Sequence, residues 1–543
     1  MKEKVLVAIA GVAVVGGGAA ALMLSTSSTS RLEENLSFIP ADAALYLDTY
    51  IDPTDDQKNA IDDLLARFPE EAGTFDQAKE RLIEVLDPEL EKLGLSYKED
   101  IEPWAGDQAA LFLLAPADGE NPSGAVVIKA DDEVAAIQAL EDGFEGADLP
   151  APSESVEHAG STYRTVDVGE EVPTAYAAEG GYLIIGDEAG VKASLSAPSG
   201  DSLDGSDAFE RATAGLPEDR LLTFFIEGER FFEAIGQAPG LTSEDEAGLE
   251  AMQQLGGLAS SAISLTVEDG AVFLDSTSDV SNGGIYSDLA SNLDGEGSLG
   301  QLPGGSWFAF GFPDVGDTIS LFLDSFGEID SIGGDLEQAE ADFREETGLD
   351  LRDDVLSWMG DAGFFIQGTN IQQIGGGLVL ESRDAAKAQD ALTQLREIIE
   401  SEAPPSEFQS SLTRDIETDA GSGFALQVPG QPAPISFVAG DRVIIAYGDD
   451  AFESAVSGED TLADADAYGG ALDLLGDDFT PLFYADIQTI RTFAEAALAF
   501  GGQAQNPTYT EEVRPWIEPL SYAVAGVRVD GDAIIQRFVI GTE

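Results

Sequence analysis

The chain has 543 residues, of which 103 are Asp or Glu and 26 are Lys or Arg, for a formal net charge of −77 and a sequence pI of about 4.1. That balance argues against nucleic acid as a partner, because phosphates are repelled and their binding relies on Lys and Arg to release counterions; adhesion to anionic lipid is disfavoured for the same reason. The absence of cysteine excludes disulfides, thiolate catalysis, Cys-ligated zinc and lipid attachment through an N-terminal Cys.

Lys2 and Lys4 precede Val5–Leu24, a run without a charge, and Ser25–Ser30 follows as a polar linker. A helix over that run rises about 1.5 Å per residue and spans about 30 Å, the thickness of a bilayer core. The two lysines place the N-terminus in the cytoplasm and the body outside it. The reading is a retained single-pass anchor in the cell membrane. The rival is a signal peptide cleaved near Ala19–Ala21, which would release a secreted protein.

The body alternates strand-like and helix-like segments. Strands are expected at Ala43–Tyr50, Ala109–Ala115, Ala125–Ala130, Thr162–Val168, Thr174–Ala178, Tyr182–Ile185, Leu221–Ile226, Ala262–Val267 and Ala271–Ser276. The connections Ala177–Tyr182 and Glu268–Gly270 read as hairpins and imply antiparallel neighbours. Helices are expected over Asp55–Phe68, with Ala60, Ile61, Leu64, Leu65 and Phe68 on one face, and over Phe75–Leu86, with Ala78, Leu82, Val85 and Leu86 together. Pro69 and Pro88 are expected to end them.

The second half then repeats the first. Gly94–Asp107, which contains Tyr97, Asp100 and Trp104, returns as Gly348–Asp361 with Leu351, Asp354 and Trp358. Phe38–Leu47 is matched by Gln301–Phe310, Gly124–Asp132 by Gly377–Asp384, and Tyr182–Asp187 by Val443–Asp449. Helices of the second copy fall at Thr318–Phe326, Leu336–Glu346 and Ala385–Ile399. The fold class is α+β: two tandem copies of a mainly antiparallel sheet with packed helices, after one N-terminal hydrophobic helix. The expected divisions are 1–30 for the anchor, 31–298 for the first repeat and 299–543 for the second, with Asn282-Gly-Gly and Pro303-Gly-Gly as turn and linker signals.

No catalytic signature stands out. The single histidine, His158, lies opposite Asp419 of the second copy and reads as an exposed hairpin residue rather than a general base. There is no Gly-x-Ser-x-Gly elbow, Ser-x-x-Lys pair or Gly-Lys phosphate loop. Paired carboxylates suited to glycoside hydrolysis remain open, with Glu102, Asp107 and Asp361 the acids beside the repeated tryptophans. Trp104 and Trp358 read as packing residues, since both copies keep them. Gly375-Gly-Gly377 reads as a flexible turn. Asp201, Asp204 and Asp207, and Asp464 with Asp466, offer oxygen ligands for calcium, without the spacing of a calcium loop. No catalytic or cofactor-binding residue is assigned.

Phe38-Ile-Pro40-Ala-Asp42, Asp52-Pro53 with Gln57-Lys58, Leu65-Ala-Arg67-Phe68-Pro69 and Ile101-Glu-Pro103-Trp104-Ala-Gly106-Asp107 together resemble a family of exported bacterial proteins known as domain of unknown function 3352. The resemblance is strongest over Phe38–Leu114. It implies one N-terminal hydrophobic segment before a large extracytoplasmic region, a source among actinobacteria and their relatives, and no established activity, so no catalytic residue carries over. The function expected is a non-enzymatic envelope protein that binds a partner or ligand, or acts as a scaffold, with the crevice between its lobes as one binding place. Its rivals are a carboxylate-dependent hydrolase of an envelope glycan and a structural, cation-binding acidic surface protein.

Overall fold

The computed structural model describes residues 33–50, 55–91, 94–116, 122–169, 173–218, 220–236, 248–249, 259–281, 283–293, 297–327, 329, 333–402, 412–428, 430–500 and 506–543. The expected anchor Val5–Leu24 lies outside them. Among the described residues no helix is long and apolar enough to cross a membrane. The chain divides into two units, Met1–Gln253 with Gly257–Val280, and Gln254–Gly256 with Ser281–Glu543.

The first unit contains β1 (Ala43–Tyr50), β2 (Ala105–Leu114), β3 (Ser123–Ala130), β4 (Val156–His158), β5 (Ser161–Val166), β6 (Thr174–Glu179), β7 (Tyr182–Asp187), β8 (Leu222–Ile226), β9 (Ser260–Glu268) and β10 (Ala271–Asp279). They pair antiparallel in the order β4-β5-β6-β7-β3-β2-β1-β8-β9-β10. The hairpins expected at Ala177–Tyr182 and Glu268–Gly270 join β6 to β7 and β9 to β10.

The second unit contains β11 (Ser306–Phe312), β12 (Met359–Gln367), β13 (Gly375–Ser382), β14 (Thr413–Thr418), β15 (Gly421–Leu426), β16 (Ile435–Ala439), β17 (Arg442–Tyr447), β18 (Thr480–Asp486), β19 (Leu520–Asp530) and β20 (Ala533–Thr542). Their order is β14-β15-β16-β17-β13-β12-β11-β18-β19-β20, again antiparallel throughout. Strand for strand, this is the order of the first unit. The likeness extends to irregularities. A register shift lies between Ala43 and Leu45 in β1 and between Ser306 and Phe308 in β11. The isolated bridge Pro40–Ser202 has its counterpart in Pro303–Thr461.

Helices pack on these sheets through their apolar stripes. Glu133–Gly146 buries Ala136, Ala139, Leu140 and Phe144 against Val126, Tyr176 and Leu183, and Ala385–Glu402 buries Ala388 and Leu392 beside Leu380 and Phe437. Two expectations need correction. The helix Phe75–Leu90 runs through Pro88 instead of ending before it, because Leu90 is drawn into a cluster with Ile83, Leu95 and Tyr97. Its buried face carries Phe75, Ile83 and Leu90, while Val85 is 70% exposed. The Gly375–Gly377 run is no flexible turn either, since it opens β13, paired with β12 throughout and with β17 from Gly376 onward. A Cβ on Gly375 would stand 2.6 Å from the Tyr447 carbonyl and 2.9 Å from Ala451 Cβ, so glycine is what lets the helix Asp449–Ser457 approach.

Candidate functional site

The two tryptophans occupy equivalent structural posts. Each follows a π-helical turn, Tyr97–Ile101 or Leu351–Val355, and is buried, Trp104 against Ala130 and Leu140 and Trp358 against Leu380 and Leu392. The indole N–H of Trp104 donates to Asp100 O at 2.7 Å, and that of Trp358 to Asp354 O at 3.0 Å. The carboxylates of the same aspartates accept the backbone N–H of Ser96 and Asp350. Both tryptophans therefore lock a turn onto a core.

The remaining residues singled out from sequence are dispersed. Glu102 is exposed at the end of its turn, and Asp107 pairs with Lys129 at 3.4 Å. Asp361 accepts the Asp314 N–H at 3.0 Å and lines a cleft of about 220 Å³ with Glu381, Asp441 and Arg442. His158 is half-buried, with Nε2 at 2.9 Å from Ser196 Oγ. That hydroxyl donates to Lys192 O, so the ring nitrogen donates to it and does not stand ready to take its proton. Asp464 accepts the N–H and hydroxyl of Thr461 and closes a capping box, and Asp204 accepts the Ser202 hydroxyl. Among the described residues no group of three or more His, Asp or Glu is placed to hold a metal ion.

The units share a topology and differ in what they bury. In the first, a polar row crosses one sheet face from Asp48 through Thr223 and Ser264 to Asp275, each opposite the next in register. All four are buried. Asp48 accepts the Thr223 N–H at 2.9 Å and a longer bond from Gln108 Nε2 at 3.4 Å. Burial pushes its carboxyl up to about 6, against the opposing pull of Arg220 and the bonds from Thr223. Three strand spacings of about 4.8 Å separate the two aspartates, too far for a glycosidase pair. The hydroxyls of Ser264, Thr266 and Thr277, also buried, lack a hydrogen-bond partner.

In the second unit the difference is a cavity of about 230 Å³. Its lining comes from four segments: Gly304 and Gly305 before β11; Gln367, Gly368, Thr369 and Gln373 at and after the end of β12; Asp450, Ser454 and Ser457 on the helix Asp449–Ser457; and Asp460 beyond that helix. Gln367 is 7% exposed. Its Nε2 donates to Asp450 O and Ser454 Oγ, both at 3.2 Å. Because a carbonyl only accepts, the amide orientation is fixed. Oε1 is left buried without a donor, on the side of Gly305, where a Cβ would meet only that atom, at 3.7 Å.

The first unit keeps part of this lining, with Asp201 and Ser196 where Asp460 and Ser457 stand, but has apolar residues in place of Gln367, Asp450 and Ser454. Leu114 stands opposite Ala43 as Gln367 stands opposite Ser306, and it packs on the hydrophobic core. Ala41 N–H donates to Asp201 O as Gly304 N–H donates to Asp460 O. Counted from the helix N-caps Asp187 and Gly448, Ala189 and Ala193 stand where Asp450 and Ser454 do. The fold closes without Gln367, Asp450 and Ser454, so these three polar side chains are what the second unit adds. Sequence reasoning missed them, although comparing Leu114 with Gln367 would have pointed there once strand ends were known.

Fold and cavity together define an α+β protein whose two units share one sheet topology, with a polar pocket in the second. The chain belongs to the family described as "Protein of unknown function (DUF3352)", whose match runs over residues 6–526. No curated protein matches it. Solved structures of TP0453 are similar in part: crystal form I at 12% identity over 46% of this chain and 80% of that one, with a TM-score of 0.22, and crystal form III at 13% over 47% and 83%, with a TM-score of 0.23. Likenesses at that level carry no argument.

Proposed function

We propose that this is a non-enzymatic binding protein of the cell envelope, held by Val5–Leu24 with its N-terminus in the cytoplasm and both units outside, and built as tandem copies of one α+β fold. The observation that carries the binding role is the Gln367 cavity: a polar pocket with an unpaired buried acceptor, in which Gln367, Asp450 and Ser454 stand where the first unit has Leu114, Ala189 and Ala193. An unpaired buried acceptor costs roughly 1–3 kcal/mol, a cost that a bound donor removes. In this division of labour the first unit serves as scaffold and the second carries the ligand.

The test is native mass spectrometry of the full chain extracted in mild detergent from its own envelope, beside Q367L, which installs the leucine of the first unit. Wild type should carry an adduct that Q367L lacks. Identical spectra free of adduct, together with no partner recovered by crosslinking in the native envelope, would remove the binding role. Fractionation tests the anchor separately: release of all the protein into the medium would refute retention.

A second reading, a carboxylate-dependent hydrolase of an envelope glycan, draws on Asp361, Glu381 and Asp441 lining one cleft beside Arg442. Under it, D361N and E381Q should each abolish turnover of glycan fragments, and the Gln367 variants should not affect it.

A further inference from the structure

We infer that the Gln367 cavity takes a neutral polyhydroxylated ring, a monosaccharide unit or cyclitol; this rests on the binding role proposed above. Three classes of ligand fail on the lining itself. An anion meets Asp450 and Asp460 and no Lys or Arg. An apolar ligand finds no aliphatic or aromatic side chain on the wall. A divalent cation wants several hard oxygens on one centre, and no cluster of three acidic groups is present among the described residues.

What remains matches hydroxyl groups. Gln367 Oε1 is an acceptor awaiting a donor, and a hydroxyl supplies one. The side chains of Asp450 and Asp460 add carboxylate acceptors, which bond strongly to hydroxyls. Donors come from Gln373, whose Oε1 is held by the Thr369 hydroxyl at 3.0 Å and by the Asn370 amide, which leaves its NH₂ group for the ligand. Ring hydroxyls both give and accept, and so can answer amide, hydroxyl and carboxylate together.

The glycines set the size. A Cβ on Gly304 would press to 2.9 Å from Asp460 Oδ1 and from Thr461 O, whereas Gly305 borders open space next to Gln367 Oε1. A volume of about 230 Å³ lies below the ~300–1,000 Å³ common for larger ligands and suits a single ring.

Calorimetry and saturation-transfer NMR on the full chain in detergent, with a panel of neutral hexoses, pentoses and inositols, test the assignment. A panel of quaternary ammonium compounds and calcium chloride forms a parallel arm. At least one polyol should bind saturably, with an affinity unchanged from low to high NaCl. G305A adds one methyl into open space, leaves the melting temperature in place and should weaken binding at least tenfold; Q367L should abolish it. Polyol binding that ignores both variants would overturn the assignment. Salt-sensitive binding of ammonium or calcium, lost in G305A and without any polyol, would overturn the ligand class and keep the binding role. A native adduct absent from Q367L but not polyhydroxylated would do the same, whereas no adduct and no binding in either arm would remove both.

Discussion

Asp48 is a buried carboxylate whose chemistry departs far from that of an exposed aspartate. Its carboxyl, ordinarily near 3.8, titrates at about 6 in the fold because it is buried, with Thr223 and Gln108 as its hydrogen-bond donors. Folding therefore raises its proton affinity. Between about pH 4 and pH 6 the folded state binds more protons than the unfolded, so the stability gained from the protonated form is present at the acidic end and is lost as pH rises through 6. D48N mimics the protonated carboxyl. It should flatten that part of the melting-temperature profile and, at pH 7.5, stabilise the protein by on the order of 1–3 kcal/mol. A D48N profile parallel to wild type from pH 4 to 7 would show that the group titrates elsewhere. The unpaired hydroxyls of Ser264 and Thr277 follow the same logic: S264A removes a buried polar group that has no partner and should cost little or stabilise slightly, measurable by urea denaturation.

At the level of elements, the turn-plus-tryptophan unit is the most tightly shared device. Tyr97–Trp104 and Leu351–Trp358 show the same carboxylate-to-backbone bond and the same indole-to-carbonyl bond. W104F and W358F keep most of the buried area and lose one hydrogen bond, so each should cost about 1–2 kcal/mol in chemical denaturation. A cost confined to one of them would break the equivalence. These elements were legible in the sequence because they are local: alternation marks β1 and its neighbours, and Gly94 and Gly348 punctuate both copies. The cavity was not. Its wall joins four segments that only the fold brings together, and Pro303-Gly304-Gly305 carries the same signals as any linker. Pro88 misled in the other direction, since a local rule ended a helix that the packing of Leu90 continues.

For the whole molecule, charge sets the response to the medium. With a formal net charge of −77, self-repulsion destabilises the folded state and salt screens it. The melting temperature should climb by several degrees from about 0.01 M to about 0.5 M NaCl, in chloride salts of lithium, sodium and potassium alike. An effect confined to calcium would point instead to specific ligation. The strand orders have a consequence of another kind, one of timing. In each unit the strand made first, β1 or β11, ends in the interior of the sheet, with one edge against β2 or β12 and the other against β8 or β18. The partners of that second edge lie about 175 residues further along the chain. A ribosome adding about 5–20 residues per second takes roughly 10–35 seconds to deliver them. Throughout that interval the newborn strand keeps one edge of backbone donors and acceptors open, a template on which another strand can pair.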